Sequence, residues 1–103
     1  MDYKIIFSDP AIEDLGGSVR FIARKNPIAA KKFGEKLLAS VRHLASFPRI
    51  GRVVPEQTDQ NIREIVFAPY RIFYRVNDAQ RTVEIIRFWH GARGNPELPG
   101  GEG

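Results

Sequence analysis

Four arginines are threaded through three short runs rich in β-branched and aromatic residues. Arg63 interrupts Ile62-Arg63-Glu64-Ile65-Val66-Phe67, Arg71 and Arg75 interrupt Tyr70-Arg71-Ile72-Phe73-Tyr74-Arg75-Val76, and Arg87 interrupts Val83-Glu84-Ile85-Ile86-Arg87-Phe88-Trp89-His90. Packing a sheet requires no such charge, whereas a guanidinium grips phosphate or carboxylate through two parallel hydrogen bonds. Together these arginines make a candidate anion-binding face. The plainer reading is that they keep an exposed sheet soluble and pair with Glu64 or Glu84. His90-Gly91-Ala92-Arg93 closes the last run. A histidine at a strand end beside arginines is a candidate general acid or base, and equally a structural residue that hydrogen-bonds a turn. Trp89, Phe88 and Phe73 offer rings that stack on bases, or anchors for a core or an interface.

Other chemistries find little support. His43 lies off the apolar stripe of its helix, and two histidines without a carboxylate cluster make a poor metal site. There is no Gly-rich phosphate loop and no nucleophile elbow, and no cofactor is implied. The absence of cysteine removes disulfides, thiolate catalysis and Cys-based metal sites together. Sixteen Lys and Arg against twelve Asp and Glu leave a net charge of +4, which favours a nucleic acid or an acidic protein segment as partner. No run approaches the ~20 apolar residues that span a membrane. The chain opens directly into a strand-like run, so a cytoplasmic protein is expected.

These residues must be positioned by a single domain, since 103 residues support one modest core. Tyr3 to Phe7 reads as a strand. Asp9 then caps a helix with Pro10 at its first position, and Ile12, Leu15, Val19 and Ile22 form one apolar stripe. Gly16-Gly17 inside that helix weakens it by about 1 kcal/mol per glycine unless a neighbouring backbone comes close. Asn26-Pro27 repeats the cap-then-proline signature and opens a second helix with the stripe Ala30, Phe33, Leu37, Val41 and Leu44, which Phe47-Pro48 stops. The short link between the helices implies an antiparallel hairpin. Residues 48 to 61 form a polar connection around Gly51, with a possible short strand at Val53-Val54.

Ala68-Pro69 and Asn77-Asp78-Ala79-Gln80-Arg81 separate the three arginine-bearing runs as turns of an antiparallel meander. By alternation Tyr70, Ile72, Tyr74 and Val76 face the core, which turns Arg71 and Arg75 outward. In the last run the phase is ambiguous: Val83, Ile85, Arg87 and Trp89 share one face, and Glu84, Ile86, Phe88 and His90 the other. The expected fold is α+β, with an N-terminal strand and a helical hairpin packed on a mainly antiparallel sheet of three to four strands. Its other face is left open. Residues 1–93 form the domain, and 94–103 read as a flexible tail.

The order of elements, together with particular residues, resembles the RelE/ParE toxin superfamily. Those residues are Ala11-x-x-Asp14-Leu15, Pro48-x-x-Gly51-Arg52, Arg63, the Tyr70 to Val76 strand and the Ile85 to Arg93 ending, so the resemblance spans about residues 3 to 93. It implies the toxin half of a bacterial toxin–antitoxin pair, often described as a plasmid stabilisation protein. It also implies an antitoxin partner whose acidic, partly disordered segment folds across the toxin as a hetero-oligomer. RelE-like members are similar to ribosome-dependent messenger endoribonucleases that need no metal. On that branch the resemblance makes Arg71, His90 and Arg93 catalytic, with Arg71 and either Arg87 or Arg93 stabilising phosphate charge and His90 moving protons. ParE-like members poison DNA gyrase through protein contact and need no catalytic residues. Residues 48 to 61 offer only Arg49 and Arg52 where RelE-like chains carry a lysine cluster, and no tyrosine follows the last strand. The long first helix and the His90-x-x-Arg93 ending favour the ParE branch. Arg63, Arg71, Arg75, Arg87 and Trp89 are then the binding residues. An inactive member that only binds its antitoxin is the third reading.

Overall fold

The structure, a computed structural model, describes residues 2–55 and 57–98. It runs β1 (Lys4–Phe7), α1 (Asp9–Ala23), α2 (Pro27–His43), β2 (Arg52–Val53), β3 (Ile62–Phe67), β4 (Tyr70–Asn77), β5 (Thr82–His90) and a 3-10 turn at Gly91–Arg93. Both helices begin on a side-chain cap followed by proline. The α1 cap is Ser8 rather than Asp9: the Ser8 hydroxyl oxygen accepts the Ala11 N–H at 3.1 Å, leaving Asp9 in the first turn where its charge suits the helix dipole. Asn26 caps α2 as its sequence signature implies, accepting from Ala29 N–H at 3.0 Å. The helix ends at His43, one turn before Phe47-Pro48, and the chain continues through turns.

The sheet has five strands in the order β1-β5-β4-β3-β2, against the three to four expected. The additional members are at the edges. β1 lies parallel to β5, with Lys4 opposite Thr82 and Phe7 opposite Ile85, a pairing that the helical crossover after β1 permits. β2 pairs Arg52 with Glu64 and Val53 with Arg63, one residue earlier than the Val53-Val54 strand expected.

The helical hairpin covers one face. Ala11, Leu37, Val41 and Leu44 pack there on Ile72, Tyr74, Val76, Val83, Ile85 and Phe88, with Leu15 and Phe33 at the margin. Ile12, assigned above to the buried stripe, is 57% exposed; Ala11 takes the inward position because Ala11, Leu15 and Val19 recur every four residues. The opposite face carries a second apolar cluster of Val54, Ile62, Phe73, Ile86 and Trp89, against which Leu98 packs. The Trp89 indole N–H donates to the Gly94 carbonyl at 2.7 Å, which draws the chain after the last strand back over this face. Of the segment read as a tail, residues 94–98 are described and 99–103 lie outside the described residues.

The ambiguous phase of β5 has a structural origin. Phe73 pairs with Arg87 and Tyr74 with Ile85, so Ile86 is an extra residue on the β5 side. Val83, Ile85 and Phe88 consequently reach the helix-side core, while Ile86 and Trp89 join the second cluster.

Candidate functional site

The face away from the helices is built around a carboxylate. Glu64 shares its side of β3 with Ile62, opposite Phe73 on β4, and its side chain is fully buried. Arg71 meets it with two nitrogens, Nε to Oε1 at 2.6 Å and a terminal nitrogen to Oε2 at 3.1 Å. Arg52 Nε reaches Oε2 at 2.6 Å from the edge strand. Burial alone pushes the Glu64 carboxyl up, but the hydrogen bonds and charges of Arg71 and Arg52 outweigh it, and the net shift is below the usual value. Glu64 therefore stays ionised inside the protein because two cations converge on it.

Arg71 does more than hold Glu64. Its other terminal nitrogen donates to the Asn95 side-chain oxygen at 3.0 Å, and its guanidinium lies 4.7 Å from the centre of the Phe73 ring. Across the β4–β5 ladder Arg71 is paired with Trp89. Two further guanidiniums approach the Trp89 ring, Arg93 at 3.9 Å and Arg87 at 4.8 Å from its centre. Arg87 is anchored at its far side, donating to both oxygens of Asp14 at 2.6 and 2.7 Å, a bond that raises its already high pKa. Arg75 sits further along the same face, 3.8 Å from Asp59 and from Glu84. At that separation these are charge contacts rather than hydrogen bonds.

Arg71, Arg87, Arg93 and Trp89 are thus brought together, while two of the expected site residues point elsewhere. Arg63 lies opposite Tyr74 and donates to the carbonyls of Gly51 at 2.9 Å and Arg49 at 3.4 Å, on the helix side of the sheet. His90, next to Trp89 and therefore on the other side, uses Nδ1 to accept the Ala92 N–H at 3.1 Å and sets its ring 5.1 Å from that of Tyr70. Phe88 is in the main core, stacked near Phe7. Glu64, Asp14 and Arg52 were not among the expected site residues. A signal for Glu64 was present: alternation puts Ile62, Glu64 and Val66 on one side, and the short Ala68-Pro69 turn sets them against Arg71 and Phe73.

A cleft of about 280 Å³ opens where α1 passes the ends of β4 and β5, lined by Glu13, Asp14, Gly17, Phe21, Tyr70 and Arg93. Phe21 is 68% exposed at its rim. Among the described residues no cluster of three or more His, Cys, Asp or Glu has metal-binding geometry, and no helix is long and apolar enough to cross a membrane.

No curated protein sequence matches the chain significantly. Among solved structures it is similar to a chromosomal ParDE toxin–antitoxin system from P. aeruginosa, with a TM-score of 0.71 at 18% identity over 85% of this chain and 95% of that one. It is also similar to the isolated E. coli RelE toxin, with a TM-score of 0.62 at 20% identity over 85% of this chain and 83% of that one. The RelBE2 complex of Mycobacterium tuberculosis follows at 0.58 and 23% identity, covering 87% and 99%. At such identities the likeness establishes a shared fold. The family itself is identified by sequence, because the profile of the ParE toxin of type II toxin–antitoxin systems matches residues 5–94. The chain belongs to the ParE toxin family, within the RelE/ParE superfamily of type II toxin–antitoxin toxins.

Proposed function

We propose that this toxin acts through protein–protein contact, with DNA gyrase as its target in the cytoplasm, and that a cognate antitoxin neutralises it. One observation carries the reading: of the groups that phosphoryl-transfer chemistry would require, Arg71, Arg87 and His90 are engaged within the fold, and only Arg93 is exposed, against the Trp89 ring. Arg71 is held by Glu64 and Asn95, Arg87 by Asp14, and the His90 Nδ1 lone pair by the Ala92 N–H. Cleaving RNA without a metal calls for cations turned toward the scissile phosphate and a base in reach of the 2′-hydroxyl. The exposed features are instead those of a docking surface. Ile12, Phe21 and Ile28 of the helical hairpin are 57%, 68% and 71% exposed, and the α1 cleft sits among acidic and aromatic side chains. The similarity to a ParDE system and to RelBE complexes supports an antitoxin partner. An acidic, apolar-dotted segment suits a protein of net charge +4.

The test is DNA supercoiling by purified gyrase with and without the toxin, with detergent trapping of cleaved DNA. Inhibition with accumulated cleavage is expected. Absence of any effect at micromolar toxin, together with messenger cleavage in a translating extract, would overturn the reading in favour of a RelE-like endoribonuclease. Harmlessness in both assays would leave a family member that only binds its antitoxin.

A further inference from the structure

Glu64 sits at the centre of a charge cluster on the sheet face away from the helices. Its side chain is wholly enclosed, while those of Arg71 and Arg52 retain 19% and 63% exposure. Arg71 presents Nε and a terminal nitrogen to two different oxygens, the parallel two-bond geometry by which a guanidinium also holds a phosphate. Arg52 closes on the same carboxylate from the neighbouring edge strand. The place where these two cations converge is already filled by an anion tethered to the sheet. Around it the cation density is high: the Arg71 guanidinium lies on the buried Phe73 ring, and Arg87 and Arg93 lie against the largely buried Trp89 ring, so these rings hold arginines rather than offering faces to bases.

We infer that Glu64 is a specificity-determining residue, its carboxylate occupying a phosphodiester fork formed by Arg52 and Arg71 and thereby excluding single-stranded RNA from this face. A phosphodiester from solution competes with an intramolecular ligand at high effective concentration and brings one charge against one. It also has to displace a carboxylate whose side chain is fully buried. The inference rests on the proposed function, since a RelE-like endoribonuclease would need Arg71 for its RNA, and RNA binding is read separately from gyrase inhibition.

The test is fluorescence anisotropy of a labelled single-stranded RNA of about 12 nucleotides, titrated at low and moderate salt with wild type, Glu64→Gln, Glu84→Gln and Glu64→Gln/Arg71→Ala, a length that covers one site of this kind. Glutamine keeps the size and an acceptor oxygen while removing the charge. Glu84→Gln makes the same change in net charge at a side chain 3.8 Å from Arg75 on the same face. Glu64→Gln is expected to bind RNA about tenfold more tightly than wild type with a steeper salt dependence, and the gain is expected to vanish in the double variant. A folded Glu64→Gln protein that binds no better than wild type would overturn the inference. So would an equal gain from Glu84→Gln, or a gain that survives Arg71→Ala. Should Glu64→Gln fail to fold, wild type decides: the Arg71 Nε–H resonance is expected to stay in place as pyrophosphate is raised to the millimolar range, and a saturable shift would refute the proposal.

Discussion

Asp14 and Arg87, from α1 and β5, form a two-bond ion pair at 2.6 and 2.7 Å, and one Asp14 oxygen also accepts the Phe88 backbone N–H at 3.1 Å. β1 pairs β5 only as far as Ile85. Beyond it, the Ser8 N–H takes the Ile85 carbonyl at 3.0 Å, the Ser8 hydroxyl takes the Ile86 carbonyl at 2.8 Å, and Asp14 takes Phe88. The start of α1 therefore replaces the missing strand, group by group, along the edge of β5. Replacing Asp14 by alanine leaves the Arg87 guanidinium, three-quarters buried, without its carboxylate and the Phe88 amide without an acceptor. We expect Asp14→Ala to lower stability by about 2–3 kcal/mol. Asp9→Ala, in the same helix but not the cap, should cost about 0.5 kcal/mol through the helix dipole. Urea unfolding of both variants at a common slope makes the comparison.

Two glycines separate steric need from helix propensity. A Cβ on Gly51 would lie 2.5 Å from the Glu64 carbonyl oxygen and 2.6 Å from the Tyr74 hydroxyl, which itself accepts the Gly51 N–H at 2.9 Å. Neither neighbour can retreat, since one is ladder backbone and the other is a buried ring. Gly51→Ala is expected to cost about 3 kcal/mol, from overpacking and a lost hydrogen bond. A Cβ on Gly17 meets nothing within 4 Å, and one on Gly16 meets only the Arg20 side chain. No neighbouring backbone approaches this pair, so close packing does not account for it. Gly17→Ala should raise stability by about 1 kcal/mol. Because Gly17 also lines the α1 cleft, the same variant should weaken gyrase inhibition if that cleft is the docking surface. Thermal unfolding and the supercoiling assay, run on one preparation, read both effects.

The sequence made the helical hairpin and the β3–β4–β5 meander legible, because caps, prolines and alternation are local signals. Asn26-Pro27 opens α2 where expected, and Leu37, Val41 and Leu44 are buried as their spacing requires. What was hidden depends on contacts between distant residues. The extra residue at Ile86 exists only relative to β4, and it divides neighbouring apolar residues of β5 between two cores. The arginines were visible as a group, but Arg63 follows strand alternation to the helix side, and only pairing with β2 reveals Arg52 as a partner of Glu64. A buried glutamate looks no different in sequence from a solvated one until the register places two arginines on it.

Glu64 also predicts an acid-dependent loss of stability. Its folded-state pKa lies below the unfolded value because the hydrogen bonds of Arg71 and Arg52 overcome the opposing effect of burial. A depressed carboxylate binds fewer protons folded than unfolded, so its contribution is fully present above the ordinary Glu range of about 4.3. It is lost as pH falls through the lower folded-state value. Denaturant midpoints measured from pH 7 down to pH 3 should therefore decline more steeply for wild type than for Glu64→Gln. Equal slopes would mean that Glu64 carries no differential protonation.

His90 offers the sharpest division between chemistry and architecture. Its Nδ1 caps the turn Gly91–Arg93 by accepting the Ala92 N–H, and an asparagine side-chain oxygen can accept the same bond. A residue that only caps is replaceable by asparagine, whereas a residue that moves protons is not. We expect His90→Asn to inhibit gyrase and growth as wild type does, and His90→Ala to lose about 1 kcal/mol of stability without a matching loss of inhibition at saturating toxin. Were the imidazole a general acid or base, both variants would lose activity by about 10²–10⁴-fold, regardless of whether the turn stays capped. Measuring stability alongside inhibition for the two variants distinguishes these cases, because only catalysis penalises asparagine and alanine alike.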